Sequence, residues 1–234
     1  MTPTPKPDDE TTAAPSMPEA ETAHLLAAYA EARVILEYGS GGSTRAAAQM
    51  PGKLVFSVES DLNWARAMRR AIAGMPPRSQ VVILHVDIGE TGPWGRPLDD
   101  SAWRNYHRFP NAIWDEPYFR HPDLVLIDGR FRKACLLTVA LRAARPVRVL
   151  FDDYYSRPKY HVVERALRPV RAIGRMAEFH VAPGSIDNSD LGYVLAQFFD
   201  VTVHGSGRKA YALPENDRRM ICHDSIPPQE GRQT

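Results

Sequence analysis

Residues Val34 to Thr44 read VILEYGSGGST, and this stretch constrains the fold more than any other in the chain. A short apolar run (Val34, Ile35, Leu36) ends in the acid Glu37. Small residues follow from Gly39 to Ser43, and Thr44-Arg45-Ala46-Ala47-Ala48 opens a good helix former. The pattern is that of a buried strand passing through a tight turn into a helix. Glycines remove Cβ atoms where backbone and ligand must approach closely. The helix N-terminus then offers free N–H groups and the positive end of its dipole. Such a turn suits a nucleotide-like ligand.

The same alternation runs along the chain. Residues 1–20, rich in proline, threonine and acids, read as a disordered tail. Glu21–Ala32 reads as a helix with Leu25, Leu26 and Tyr29 on one face. Strand Val34–Glu37 precedes a helix through Thr44–Gln49, and strand Leu54–Val58 precedes a helix through Leu62–Ala73 that Pro76-Pro77 terminates. Strand Val81–Val86 leads into a long irregular stretch, 89–121, and strand Asp123–Ile127 into a helix through Phe131–Ala144. Strand Val147–Phe151 is followed by a helix around Val162–Val170, a weaker strand Ala177–Val181 and a last one at Ala210–Leu213. Nearly continuous apolar strands, each followed by a helix, predict an α/β fold: a Rossmann-like, doubly wound, mostly parallel sheet covered on both faces. One domain over 21–214 is expected, with a polar tail over 215–234.

Composition narrows the function. The 29 Lys+Arg against 28 Asp+Glu leave a formal net charge of +1, which gives no electrostatic case for a nucleic-acid or membrane-surface partner. No apolar run reaches the length of about 18 residues that a transmembrane helix needs, and the first twenty residues lack a secretory segment, so a cytoplasmic location is expected. Of the two cysteines, Cys135 lies in an apolar helical stretch and reads as a buried structural thiol, and Cys222 is far from it. No signature of an oligomeric state is present.

In a doubly wound sheet, ligands bind outside the carboxyl ends of the strands. Those ends are acidic here: Glu37, Glu59, Asp87, Asp128, and the pair Asp152-Asp153. Glu59 follows Gly39 by twenty positions, the spacing at which a second-strand acid accepts hydrogen bonds from ribose hydroxyls. Asp87 reads either as a contact for an adenine amino group or as a turn residue. Asp128, Asp152 and Asp153 come from neighbouring strands and should converge. Three carboxylates held together repel unless protonated, paired or bridged by a cation, and oxygen-only ligands favour Mg²⁺. The competing reading is a turn at Asp128-Gly129, with Asp152 or Asp153 capping a helix or pairing with Arg130, Arg132 or Arg157.

The ordered set of motifs resembles the class I S-adenosylmethionine-dependent methyltransferases over roughly residues 21–213. Glu37-Tyr38-Gly39-Ser40-Gly41 is similar to the family's first motif, Glu59 to its ribose acid, Asp87 to the residue beside the adenine, and Asp123–Gly129 to its fourth motif. The resemblance implies that Glu37, Tyr38, Gly39, Ser40, Gly41, Ser43, Glu59 and Asp87 bind S-adenosylmethionine. Within the class, the ends of strands four and five resemble the metal-dependent O-methyltransferases. That implies Mg²⁺ on Asp128, Asp152 and Asp153, and a small-molecule or carbohydrate hydroxyl as methyl acceptor. The resemblance is incomplete at the base, because Arg130 and Arg132 stand where catechol-type enzymes carry a lysine and Lys133 is one position further on. An arginine cannot serve as a general base at ordinary pH. Asp128, Asp152 and a histidine are therefore the expected catalytic groups: His161 first, with His107 and His121 as alternatives.

The insert 89–121 holds Trp94, Trp103, Tyr106, His107, Phe109, Trp114, Tyr118 and Phe119. It reads as a lid or acceptor-binding wall, or else as a hydrophobic cluster that covers the sheet. Two rival functions stand beside methyl transfer. A nicotinamide-dependent oxidoreductase would need glycine at position 44, where Thr44 stands. A catalytically silent member of the fold would bind cofactor or a partner without turnover.

Overall fold

A computed structural model describes residues 15–201. Helix α1 (Glu19–Glu31) leads into β1 (Val34–Tyr38), α2 (Gly42–Gln49), β2 (Leu54–Glu59), α3 (Leu62–Ala73) and β3 (Gln80–His85). A small hairpin of β4 (Thr91–Gly92) and β5 (Arg96–Pro97) and the short helix α4 (Arg108–Asn111) follow. The chain then forms β6 (Leu124–Ile127), α5 (Arg132–Arg142), β7 (Val147–Phe151), β8 (Arg171–Ile173), β9 (Met176–Val181) and α6 (Leu191–Ala196). The main sheet has the order β3-β2-β1-β6-β7-β9-β8. Its first five strands are parallel, whereas β9 runs antiparallel to both β7 and β8. The expected doubly wound α/β fold is the observed one, and strand order reverses between β1 and β6.

Register places the site. Tyr38 lies opposite Val58 on one side and Ile127 on the other, and Ile127 lies opposite Phe151. The central strands therefore end level, and the residues that follow (Gly39, Glu59, Asp128, Asp152) emerge on one rim. Side chains alternate across a strand, so Ile35 packs in the layer under α1 and α2 with Leu25 and Tyr29, while Leu36 and Tyr38 pack in the opposite layer with α5.

Most of the insert belongs to that second layer. Tyr106, Phe109 and Ile113 are buried there, and Phe119 packs edge-on against Phe56. Of the two readings of 89–121, covering the sheet describes residues 106–119, and the β4–β5 hairpin reaches the rim over Glu59. The expected helix around Val162–Val170 is instead a 3₁₀ segment, Pro158–Arg165. Pro169 forbids a helical continuation, disfavours helix at Arg168, and leaves too short a window for α turns. Strand β8 and helix α6 went unpredicted. The expected strand Ala210–Leu213, the polar tail 215–234 and Cys222 lie outside the described residues. Cys135 is fully buried, and burial raises its thiol pKa well above the ordinary range. Among the described residues, no helix is long and apolar enough to cross a membrane.

Candidate active site

At the point where strand order reverses, two glycines meet. A Cβ on Gly39 would lie 2.8 Å from Gly129 Cα, and one on Gly129 would lie 2.7 Å from the Tyr38 carbonyl oxygen. Gly39 also has φ +107°, in the region that favours glycine. The backbones of β1 and β6 thus touch, while a Cβ on Gly41 would meet nothing within 4 Å. The loop has an open side, and α2 begins there without a side-chain cap on its first N–H groups. Such a cradle fits the carboxylate end of an amino-acid-bearing nucleoside.

Glu37 sits beneath this loop, fully buried. Tyr29 donates its phenol hydrogen to one carboxylate oxygen, Thr44 donates its hydroxyl to the other, and Gly41 N–H donates to the Thr44 hydroxyl at 3.0 Å. Burial pushes the Glu37 carboxyl up to about 7 despite these donors, among which Ser43 also counts. Glu37 and Ser43 therefore shape the loop from below. The Ser40 hydroxyl bonds that of Ser57 at 2.8 Å, and its carbonyl accepts from the Trp64 indole.

Glu59 closes β2 with both oxygens engaged. One accepts from the N–H groups of Ser60 (2.7 Å) and Asp61 (3.0 Å), the other from Ser40 N–H (3.1 Å). Desolvation raises its pKa in spite of these bonds. The hairpin turn lies over it, since the Ser60 hydroxyl donates to the Gly95 carbonyl at 3.0 Å. Asp87 is exposed beyond β3 and accepts from Gly89 N–H, the geometry of a turn residue.

Tyr38 departs from expectation. Its side chain is fully buried on the other layer, donating to the Pro110 carbonyl (2.7 Å) and accepting from the Trp114 indole (2.8 Å). Alternation along β1 requires this: with Glu37 under α2, Tyr38 must face α5. Only its backbone belongs to the rim.

Asp128, Asp152 and Asp153 do converge, with carboxylate oxygens within 4.8 Å of one another. Each is taken by arginine. Arg132 donates to Asp128 (2.9 Å) and Asp153 (3.1 Å), and also to the carbonyls of Asp128, Gly129 and Asp152. Arg157 pairs with Asp153 at 2.7 Å, and Arg175 donates to both oxygens of Asp152 (3.0 and 2.8 Å) and reaches Asp153 (3.2 Å). Three carboxylates thus face three guanidiniums. A donor set already neutralised in this way does not fit a divalent cation, which would have to displace charge-assisted bonds. The pairing of Arg132 and Arg157 follows the competing reading of the sequence; Arg130 takes no part in it, and Arg175 was missed. Sequence spacing gives no hint of Arg175, because β9 and the turn before it approach from a distant, antiparallel segment.

Asp128 differs from its neighbours. Its side chain is 36% exposed, yet its pKa is raised to about 6 by desolvation, opposed by Arg132 and reinforced by Asp152 and Asp153. Asp152 is buried and locked by Arg175. Asp153, Phe131 and Trp94 are the non-glycine residues with positive φ among the described residues (59°, 52° and 64°), and all three lie in rim loops, where such strain accompanies sites.

His161 lies against the rings of Tyr154 and Tyr155, its Nε2 donating to the Tyr154 carbonyl at 3.1 Å. His107 is exposed beside α4. His121 is at the wrong end of the sheet. Its ring accepts from Ala144 N–H and meets Arg145, and Arg145 binds Asp123, which caps the start of β1. It cannot reach the rim. A cavity of about 770 Å³ also opens at those amino ends, among Arg33, Arg78 and His121.

No protein-family model matches the chain, and no curated protein does. Among solved structures, a methyltransferase-like protein from Silicibacter pomeroyi DSS-3 is 49% identical, covering 79% of this chain and 96% of its own, with a TM-score of 0.75. Two remoter structures are cofactor-bound Rv0187 from MTB (18% identity, 77% and 86% covered, TM-score 0.45) and an O-methyltransferase from Bacillus cereus in complex with SAH (17%, 74% and 83%, 0.42). The chain belongs to the class I S-adenosylmethionine-dependent methyltransferase family.

Proposed function

We propose that this chain transfers the methyl group of S-adenosylmethionine to a hydroxyl of a small molecule or carbohydrate, with Asp128 as the base. The observation that carries the reading is the position of Asp128: adjacent to the Gly39–Gly129 contact, with a pKa raised to about 6, and partly exposed where the other raised acids, Glu37 and Glu59, are buried. S-adenosylmethionine supplies an electrophilic sulfonium methyl. The loop 39–43, carried by Glu37, Thr44 and Ser43, would hold the amino-acid end, and Glu59 the nucleoside. The acceptor oxygen forms the new bond to carbon as its proton passes to Asp128, and the electron pair of the broken carbon–sulfur bond stays on sulfur. Positioning supplies much of such a rate. Arg132, Arg157 and Arg175 hold the acids in place without metal, and Asp152 acts as a positioning group. His161, packed on Tyr154 and Tyr155, takes no step.

A silent fold that only binds cofactor is favoured by one observation, the complete pairing of the three acids with arginine. Calorimetric titration with S-adenosylhomocysteine, followed by methyl-transfer assays over hydroxyl acceptors, separates the two. Binding with turnover supports the enzyme; binding without turnover across acceptors favours the silent reading, and absence of binding sinks both.

A further inference from the structure

Beside Gly129 lies a small cavity of about 70 Å³ lined by six cations, Arg96, Arg130, Arg132, Lys133, Arg157 and Lys159, and by one acid, Asp200. Some of these charges are matched. Arg132 and Arg157 hold the acids, and Lys133 pairs with Asp200. Arg96 and Arg130 have no acidic partner among the described residues, and the Nε of each is buried without a hydrogen-bond acceptor. A buried donor left unpaired costs about 1–3 kcal/mol, and more when charged. The guanidinium of Arg130 is driven down to about 10, first by burial and then by the charges of Arg132 and Arg96. Two crowded cations without acidic partners thus line one cavity.

We infer that the ligand entering this cavity carries a dianionic oxyanion of the phosphate type, bound by Arg96 and Arg130; calling that ligand the methyl acceptor rests on the function proposed above. The fork of a guanidinium matches phosphate oxygens two at a time. A water needs at least about 10–15 Å³ of such space, so the cavity has room for one tetrahedral oxyanion. Gly129 both lines the cavity and touches Gly39, so an anchored anion lies on the acceptor side of the glycine contact, next to Asp128. Arg96 comes from the β4–β5 hairpin, which the Ser60–Gly95 bond pins to the end of β2. The hairpin therefore joins the nucleoside side of the rim to the anion site.

The test is calorimetric titration of the full chain with inorganic phosphate and, separately, with acetate. R96Q, R130Q and R130K are titrated alongside, and S-adenosylhomocysteine is titrated into every variant. Phosphate should bind and acetate should not. R130Q and R96Q should each weaken phosphate by about tenfold or more, the loss of one charge-assisted hydrogen bond. R130K should fall between them and the parent, and cofactor affinity should hold throughout, which also certifies folding. Absence of phosphate binding, equal binding of acetate, or phosphate affinity unchanged in both glutamine variants overturns the inference. Phosphate binding that follows this pattern in a chain that fails to bind S-adenosylhomocysteine upholds the anion site while sinking the methyltransferase reading.

Discussion

Arg175 grips Asp152 with a fork, its Nε and a terminal nitrogen donating to the two carboxylate oxygens at 3.0 and 2.8 Å. Asp152 is 1% exposed and Arg175 about one third. Removing the arginine alone leaves a buried charge without its partner, which is the costly way to break such a pair. R175M should cost about 2–3 kcal/mol, at or below the roughly 3–5 of fully buried pairs because the guanidinium edge is wet. The double variant R175M/D152N should cost less than the sum of the single changes by about 1–2 kcal/mol. Urea unfolding of the four proteins measures this, and additive costs would show that the fork contributes no coupling.

The glycine contact makes a sharper demand on shape. In G129A the new methyl carbon would sit 2.7 Å from the Tyr38 carbonyl, a backbone atom that cannot swing aside. The strands β1 and β6 must part, or the loop must shift. G39A meets Gly129 at 2.8 Å and adds a strained φ of +107°. Both should lower Tm and weaken S-adenosylhomocysteine binding, whereas G41A, with nothing within 4 Å, should keep its Tm. Retained affinity in G129A would separate the contact from the cofactor site.

How far the sequence led depends on the range of the interaction. Apolar strands and punctuating prolines are local signals, so β1, β2, α3 and β7 were legible almost to the residue, and the glycine loop with them. The acids of the rim were legible because parallel strands in register end level. Tyr38 was misread by motif order, although period-2 alternation beside Glu37 would have turned it into the core. Arg175, the β4–β5 hairpin over Glu59 and the displacement of His121 to the far end of the sheet depend on tertiary placement, which spacing does not encode. The 3₁₀ segment at Pro158–Arg165 was within reach, since Pro169 already marked the limit.

Glu37 should impose a recognisable pH dependence on stability. Its carboxyl rises from an ordinary 4.5 to about 7 through burial, so between these values the unfolded chain is ionised while the native one still holds its proton. The stabilisation from this group is full below about 4.5 and is lost as pH climbs through about 7. The shift corresponds to about 3 kcal/mol. Because Glu59 and Asp128 shift in the same direction, the clean quantity is the difference between parent and E37Q. The parent should lose more stability than E37Q between pH 4.5 and 8 in urea titrations, and parallel curves would refute the buried-acid account.

Asp128 ties the ionisation of the rim to turnover. With a pKa of about 6, it is protonated and idle as a base in acid, and kcat should rise as pH passes through about 6 and level off above it. D128N should lower kcat by about 10²–10⁴ and remove that rise, while leaving S-adenosylhomocysteine affinity in place. The arginines already neutralise Asp152 and Asp153, so EDTA should leave the rate unchanged in both parent and variant. A rate that collapses in EDTA and returns with Mg²⁺ would mean that the cation displaces Arg132 or Arg157 from the acids. In that case the plateau above pH 6 would report metal binding, and Asp128 would be a ligand in place of the base.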